Sequence, residues 1–131
     1  MRDSFPSYAF DTYPDASGVH LAGNPMSRGG GVYLETGHFK RVVWPSNEFW
    51  RKAFGTNTMF LEAVAALHGF LVALKLNGRR AYRLHVDNAG VVAVFKNIPC
   101  GYTWTVLKAL QEVSVNTMSK VMVYKTKRVS H

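Results

Sequence analysis

The stretch Thr56–Leu74, TNTMFLEAVAALHGFLVAL, decides how this chain is organised. From Met59 onward it is almost wholly apolar, and Glu62 is its only acid. Its length and its alanines predict one long buried helix, Asn57 to Leu76. Thr56 or Asn57 can cap its start, and Asn77-Gly78 ends it, with glycine supplying the left-handed residue that helix ends use. The apolar run Met59–Leu74 is short of the roughly 20 residues a bilayer span needs. It also carries Glu62 and His68. It therefore reads as the core helix of a soluble domain. Burying a carboxylate without a compensating partner is costly, so the reason for Glu62 has to come from what lies beside it.

Upstream, YAFDTYPDAS (Tyr8–Ser17) begins with strand-forming residues and ends in turn chemistry. Gly18–Gly31 is a loop rich in Gly, Asn and Pro. Gly31–Gly37 and His38–Pro45 read as two strands joined by a turn at Gly37, and Ser46–Gly55 is a connector. Downstream, AYRLHVDN (Ala81–Asn88) alternates: Tyr82, Leu84 and Val86 share one face, and Arg83, His85 and Asp87 the other. That is a strand. Ala89–Asn97 is a short helix or a strand continuation, Thr103–Val115 has helical spacing, and Lys120–Val129 is the last strand. Three leading strands on short links predict an antiparallel meander. The long helix then crosses over to a strand lying parallel to the first. The expected architecture is a five-stranded mixed α/β sheet with helices on its faces, in one domain spanning 1–131 behind a loose lead-in at 1–7.

The composition agrees. With 131 residues, 47% of them apolar, the chain can bury one core, and general disorder is excluded. A single cysteine, Cys100, excludes a disulfide framework and argues against a cysteine zinc site. Residues 1–10 lack the apolar core of a signal peptide. These features predict an intracellular protein, cytoplasmic or nuclear, with no membrane partner. Sixteen Lys and Arg against eight Asp and Glu leave a net charge of +8, which favours polyanions, nucleic acid first.

Three acids can converge. Asp15 lies near the end of the first strand, and Asp87 ends the strand after the crossover. If those strands are parallel neighbours, both aspartates emerge at one sheet edge. Glu62 comes from the first turns of the helix that packs on the sheet. Three such anions repel each other unless a cation joins them, and hard divalent ions such as Mg²⁺ are what oxygen-rich sites hold. Each acid also has an ordinary structural use. Asp15 sits in the turn-like PDASG, Asp87 can cap the next helix, and Glu62 can pair with an arginine or with the helix dipole. Asp11 competes with Asp15, since a four-residue slip of the first strand would present it instead.

Three motifs resemble one family. PDASGVHLAGNPMSRGGGVYL resembles the opening of ribonuclease H domains, an Asp-Gly/Ala-Ser turn and a Gly-Asn-Pro loop before the second strand. TNTMFLEAVAAL resembles the family's helix start, where an asparagine precedes a catalytic glutamate. LHVDNAGVV resembles the strand that ends in Asp-Ser or, in retroelement versions, Asp-Asn. The order Asp, Glu, Asp is that family's, whereas integrases of the same fold run Asp, Asp, Glu. The resemblance covers roughly residues 8–98. It implies that Asp15, Glu62 and Asp87 are catalytic metal ligands for Mg²⁺, with Mn²⁺ as an alternative, and that the RNA strand of an RNA–DNA hybrid is cut. It implies nucleic-acid contacts at Ser17, Asn24, Asn57 and Asn88. The basic end YKTKRVSH adds Lys125, Lys127 and Arg128 as phosphate contacts. The family also draws a fourth carboxylate from a last helix. Here the last acid is Glu112, in a helix placed before the final strand, and the chain stops at KRVSH. The resemblance therefore implies that the last helix is missing, shortened or supplied by another chain such as a reverse transcriptase. A retroelement polyprotein is one expected origin. A catalytically degenerate module that binds nucleic acid or a protein partner is the alternative.

Overall fold

The structure, a computed structural model, describes residues 9–17, 29–34, 39–42, 58–96 and 101–126. Along the chain these form β1 (Phe10–Ser17), β2 (Gly29–Leu34), β3 (Phe39–Val42), α1 (Thr58–Asn77), β4 (Tyr82–Val86), α2 (Ala89–Lys96), α3 (Gly101–Thr117) and β5 (Val121–Lys125). The five strands make one sheet in the order β3-β2-β1-β4-β5. β1 pairs antiparallel with β2, and β2 antiparallel with β3. β1 pairs parallel with β4, and β4 parallel with β5. This is the meander followed by a helical crossover that the alternation and the long apolar run predict. The parallel pairing of β1 and β4 requires such a crossover, because two parallel strands cannot be joined by a tight turn.

The core explains which residues form which element. Tyr82, Leu84 and Val86 are buried on one face of β4, and Val123 on the same face of β5. They join Ala63, Ala66, Phe70 and Ala73 of α1, Val91 of α2, and Leu107 and Leu110 of α3 in a single cluster. The alanines let the α1 backbone approach the sheet closely, while Phe70 fills the space against Tyr82 in an edge-on contact at 5.8 Å between ring centroids. All three described helices thus pack on one face of the sheet. The helices expected on the sheet's faces are, among the described residues, gathered on one of them. A correction concerns α1. By length and composition Met59–Asn77 is long and apolar enough to cross a bilayer, contrary to the reading of the run as too short. Half of that stretch is buried inside the fold, as suits a core helix.

The helix ends follow local chemistry. Gly78 has φ +76°, and its N–H donates to the Leu74 carbonyl at 2.9 Å, so α1 stops where glycine was expected to stop it. Ala89–Lys96, ambiguous in sequence, is a helix. At the end of α3, Met118 takes the left-handed position with φ 56° and is largely exposed. The Met118 N–H donates to the Val115 carbonyl, and the Ser119 N–H reaches back to Ser114. This is the double hydrogen bond of a helix end that normally employs glycine. Met118→Gly should relieve the side-chain crowding and raise stability by about 1 kcal/mol, measured as an increased urea midpoint. An unchanged or lower midpoint would show that the 3.6 Å contact from Arg79 Nη1 to the Met118 sulfur outweighs the strain.

Candidate active site

β1 continues through Asp15, which pairs with Gly31 of β2. PDAS is therefore strand rather than turn. Gly29, Gly30 and Gly31 of β2 stand opposite Ser17, Ala16 and Asp15. Pro14 fits because the ladder from β1 to β4 ends at Thr12, so the missing N–H interrupts none of its rungs. That ladder pairs Thr12 with Leu84. Continuing its offset of 72 residues (84 − 12) sets Asp15 level with Asp87, three residues past the last rung. Asp15 is exposed and Asp87 half-buried. Glu62 lies in the second turn of α1 and is 4% exposed. Its helix packs across β1, β2 and β4.

The side chains are not drawn together. Among the described residues, no three His, Cys, Asp or Glu side chains are gathered closely enough to hold a metal ion. A cation from the protein itself stands at Asp87. Lys125 Nζ donates to Asp87 Oδ1 at 3.1 Å and to the Thr126 carbonyl at 3.0 Å. Lys125, expected to contact phosphates, is thus engaged with one of the candidate ligands. Asn88 also has a local role. Its Oδ1 accepts the Val91 N–H at 3.0 Å, which makes Asn88, rather than Asp87, the cap of α2. The cap sits in a tight spot. A Cβ on Gly90 would lie 2.6 Å from the Met59 sulfur and 3.0 Å from Asn88 Oδ1, so glycine lets the start of α2 approach α1. Ser17 forms the last backbone pair of β1, with Gly29. Asn24, Asn57, Lys127 and Arg128 lie outside the described residues.

The sheet face opposite the described helices carries a group that the three-acid reading passes over. Asp11 Oδ1 accepts from Arg83 Nε at 2.7 Å, and Arg83 Nη2 reaches Asp11 Oδ2 at 3.3 Å and the Ala9 carbonyl at 3.1 Å. His85 Nε2 lies 2.7 Å from the same Asp11 Oδ1. The His85 ring stacks on Tyr13 at 4.8 Å and on Tyr124 at 5.9 Å, so a row of rings crosses β1, β4 and β5. The alternation of β4 already puts Arg83 and His85 opposite the core, but their acidic partner is 72 positions away for Arg83 and becomes visible only with the parallel register. Asp11, the rival of Asp15, is thus bound near the start of β1 to Arg83 and His85.

Burial raises the Asp11 pKa, but the hydrogen bonds and charges of Arg83 and His85 outweigh it and hold the carboxyl below its ordinary 3.8. A carboxylate depressed in the folded state contributes stability above its unfolded value and loses it as pH falls through the folded value. Asp11→Asn should therefore lower the urea midpoint at pH 7. It should also flatten the loss of stability below about pH 4, since the unfolded-state aspartate titrates there. An acid limb of unchanged slope would remove Asp11 from the groups that set it.

No protein-family model matches the chain, and no curated protein matches it. Among solved structures it is similar to the N-terminal RNase H domain of a Mycobacterium tuberculosis protein, determined as a fusion with maltose-binding protein. The match has 14% sequence identity and a TM-score of 0.50, and covers 90% of this chain and 88% of that one. A likeness at this identity speaks to architecture alone.

Proposed function

We propose, from the ribonuclease H-like fold that this chain has, that the domain binds RNA–DNA hybrids and cleaves their RNA strand with a divalent cation, Mg²⁺ or Mn²⁺, held by Asp15, Glu62 and Asp87. The observation that supports the reading is the parallel β1–β4 register, whose offset, continued three residues past its last rung at Thr12 and Leu84, runs from Asp15 to Asp87, the residue after β4. Glu62 supports it, as a buried acid in the helix packed against those strands. The donor chemistry fits: three carboxylates offer the hard oxygens that Mg²⁺ takes. A bound divalent ion supplies an activated water and neutralises charge at the scissile phosphate. The protein's own part is to hold the acids on rigid elements. Asp15 is held in β1 by its pairing with Gly31 of β2, Asp87 follows directly on the end of β4, α1 carries Glu62, and the Asn88 cap with the close Gly90 packing fixes the chain direction just after Asp87. Lysines and arginines, in excess by eight charges, attract the polyanion.

A second reading has an observation in its favour. The carboxylates are not gathered, and Lys125 already stands at Asp87. This suits a non-cleaving module of the same fold that binds nucleic acid or a protein partner. A reverse transcriptase or another chain that completes the site, and a retroelement origin, belong to the first reading. The test is a labelled hybrid incubated with the protein in Mg²⁺, in Mn²⁺ and in EDTA. Cutting of the RNA strand alone, abolished by EDTA, is expected. Salt-sensitive binding without cutting in either metal would favour the second reading. No binding even at low salt would leave only a protein-interaction module.

A further inference from the structure

We propose that Lys75, Arg79, Arg80 and Lys120 form a docking patch for the phosphate backbone of a nucleic acid, at the end of the sheet remote from Asp87. The inference does not depend on any cation site. Phe10, Tyr82 and Val121 make one rung across β1, β4 and β5, where these three parallel strands begin. Arg79 and Arg80 lie in the turn before β4, Lys120 lies just before β5, and Lys75 lies in the last turn of α1. The Tyr82 N–H donates to the Lys120 carbonyl at 2.8 Å, and Arg79 Nη1 reaches the Met118 sulfur at 3.6 Å. The approaches to β4 and β5 are therefore held side by side. Asp87 follows Arg80 by seven residues (87 − 80) along the direction of β4, about 20 Å at the rise of a strand.

All four side chains are exposed. Among the described residues none of them is paired with an acid. The sequence has no Asp or Glu from Ala63 to Val86 or from Val113 to His131, so neither segment that builds this end carries an acid of its own. Asp11, next to Phe10 on β1, is already held by Arg83 and His85. Arg80 is also ordered in advance. Its guanidinium carbon lies 4.5 Å from the centre of the Phe10 ring, and its Nε donates to the Asn77 carbonyl at 3.1 Å. A guanidinium fixed in this way keeps its two Nη groups, a planar fork that matches phosphate oxygens. The carbonyl end of α1 lies here too and opposes an anion by about half a charge. Arg80 and the Gly78 N–H satisfy two of its carbonyls, those of Asn77 and Leu74, and four cations outweigh the rest. Clustered cations of this kind are the electrostatic footprint of a polyanion. Arginine at both positions of the turn, one of them fixed, favours the regularly spaced phosphodiesters of a nucleic acid over the fluid headgroups of an acidic membrane.

The experiment measures binding of a labelled RNA–DNA hybrid by fluorescence anisotropy in EDTA across a salt series, with phosphatidylserine vesicles as a second probe. The first variant combines Arg79→Gln with Lys120→Gln. A second keeps the charge at the same positions, Arg79→Lys with Lys120→Arg. The control combines Lys96→Gln with Lys108→Gln, which removes two exposed charges from α2 and α3. The first variant should bind the hybrid about ten-fold more weakly at low salt, and the slope of log affinity against log salt should fall by about two. The charge-keeping variant and the control should each stay within about two-fold of the parent. Parent-like binding by the first variant overturns the patch and leaves hybrid binding at the acid edge untouched. An equal loss in the control overturns it, by making the effect one of general charge, and an equal loss in the charge-keeping variant overturns it, by making the effect one of folding. Lost vesicle binding with hybrid binding unchanged overturns it in favour of an acidic membrane. Because EDTA separates binding from cutting, a weakened first variant supports the patch even if the parent fails to cut in Mg²⁺ or Mn²⁺.

Discussion

Glu62→Gln is expected to lower divalent-cation-dependent cleavage of an RNA–DNA hybrid by on the order of 10²-fold or more, since even residues that merely support a metal ligand cost 10- to 100-fold when lost. Glutamine keeps the shape of the side chain and removes its charge. Glu62 is 4% exposed in the middle of the helix–sheet packing, so the isosteric change should leave the circular dichroism spectrum and the urea midpoint close to the parent's. Hybrid affinity at low salt should also be kept, because it comes from cationic contacts to phosphate. The separation of the two readouts is what identifies a ligand. Loss of cleavage together with loss of fold would mean that Glu62 is needed for packing. Undiminished cleavage would mean that the cation does not use it.

How much of this was legible beforehand depended on the range of the signal. The order of strands and helices is written in local patterns: the alternation of Tyr82, Leu84 and Val86, the apolar run around Phe70, and the glycine after Asn77. Each of these acts within a few residues of itself. Asp15 shows where local reading fails. Pro14, Asp15 and Ser17 are turn formers by composition, yet they lie in strand because Gly29–Gly31 pair alongside. Pairing is a property of two segments, and neither one displays it alone. The same holds for Lys125, which reads as one more cation in a basic tail. Its engagement with Asp87, 38 positions earlier, follows from the parallel register of β4 and β5. Asp11 appears in sequence only as a rival to Asp15, and its real partners are set by the β1–β4 ladder. The described helices cover one face for a similar reason. Apolar stripes say that a helix must be buried, and the connections between strands decide on which side.

Phe70→Ala tests the core that positions all of this. Phe70 is fully buried in α1, two turns past Glu62, and meets Tyr82 of β4 edge-on. Tyr82 is itself held on the helix side, its hydroxyl within hydrogen-bond distance of the carbonyls of Ala73 and Gly78, to either of which it can donate its one proton. Removing the ring takes away its burial and opens a cavity that the surrounding alanines are too small to fill. Truncations of this kind cost about 3–5 kcal/mol. A domain of this size has roughly 5–15 kcal/mol in total, so the variant should lose a large part of its stability while still folding. Leu71→Ala is the matched control: the next residue is 41% exposed and should cost under about 1 kcal/mol. Urea midpoints at equal slope would measure both. If Phe70 acts only by holding α1 against the sheet, cleavage per folded molecule should stay near the parent's once the folded fraction is accounted for. A drop in that corrected rate would mean that the cavity also lets α1 shift, carrying Glu62 away from the two aspartates. A cost for Phe70→Ala no greater than that for Leu71→Ala would show that α1 is not anchored on β4 through this ring.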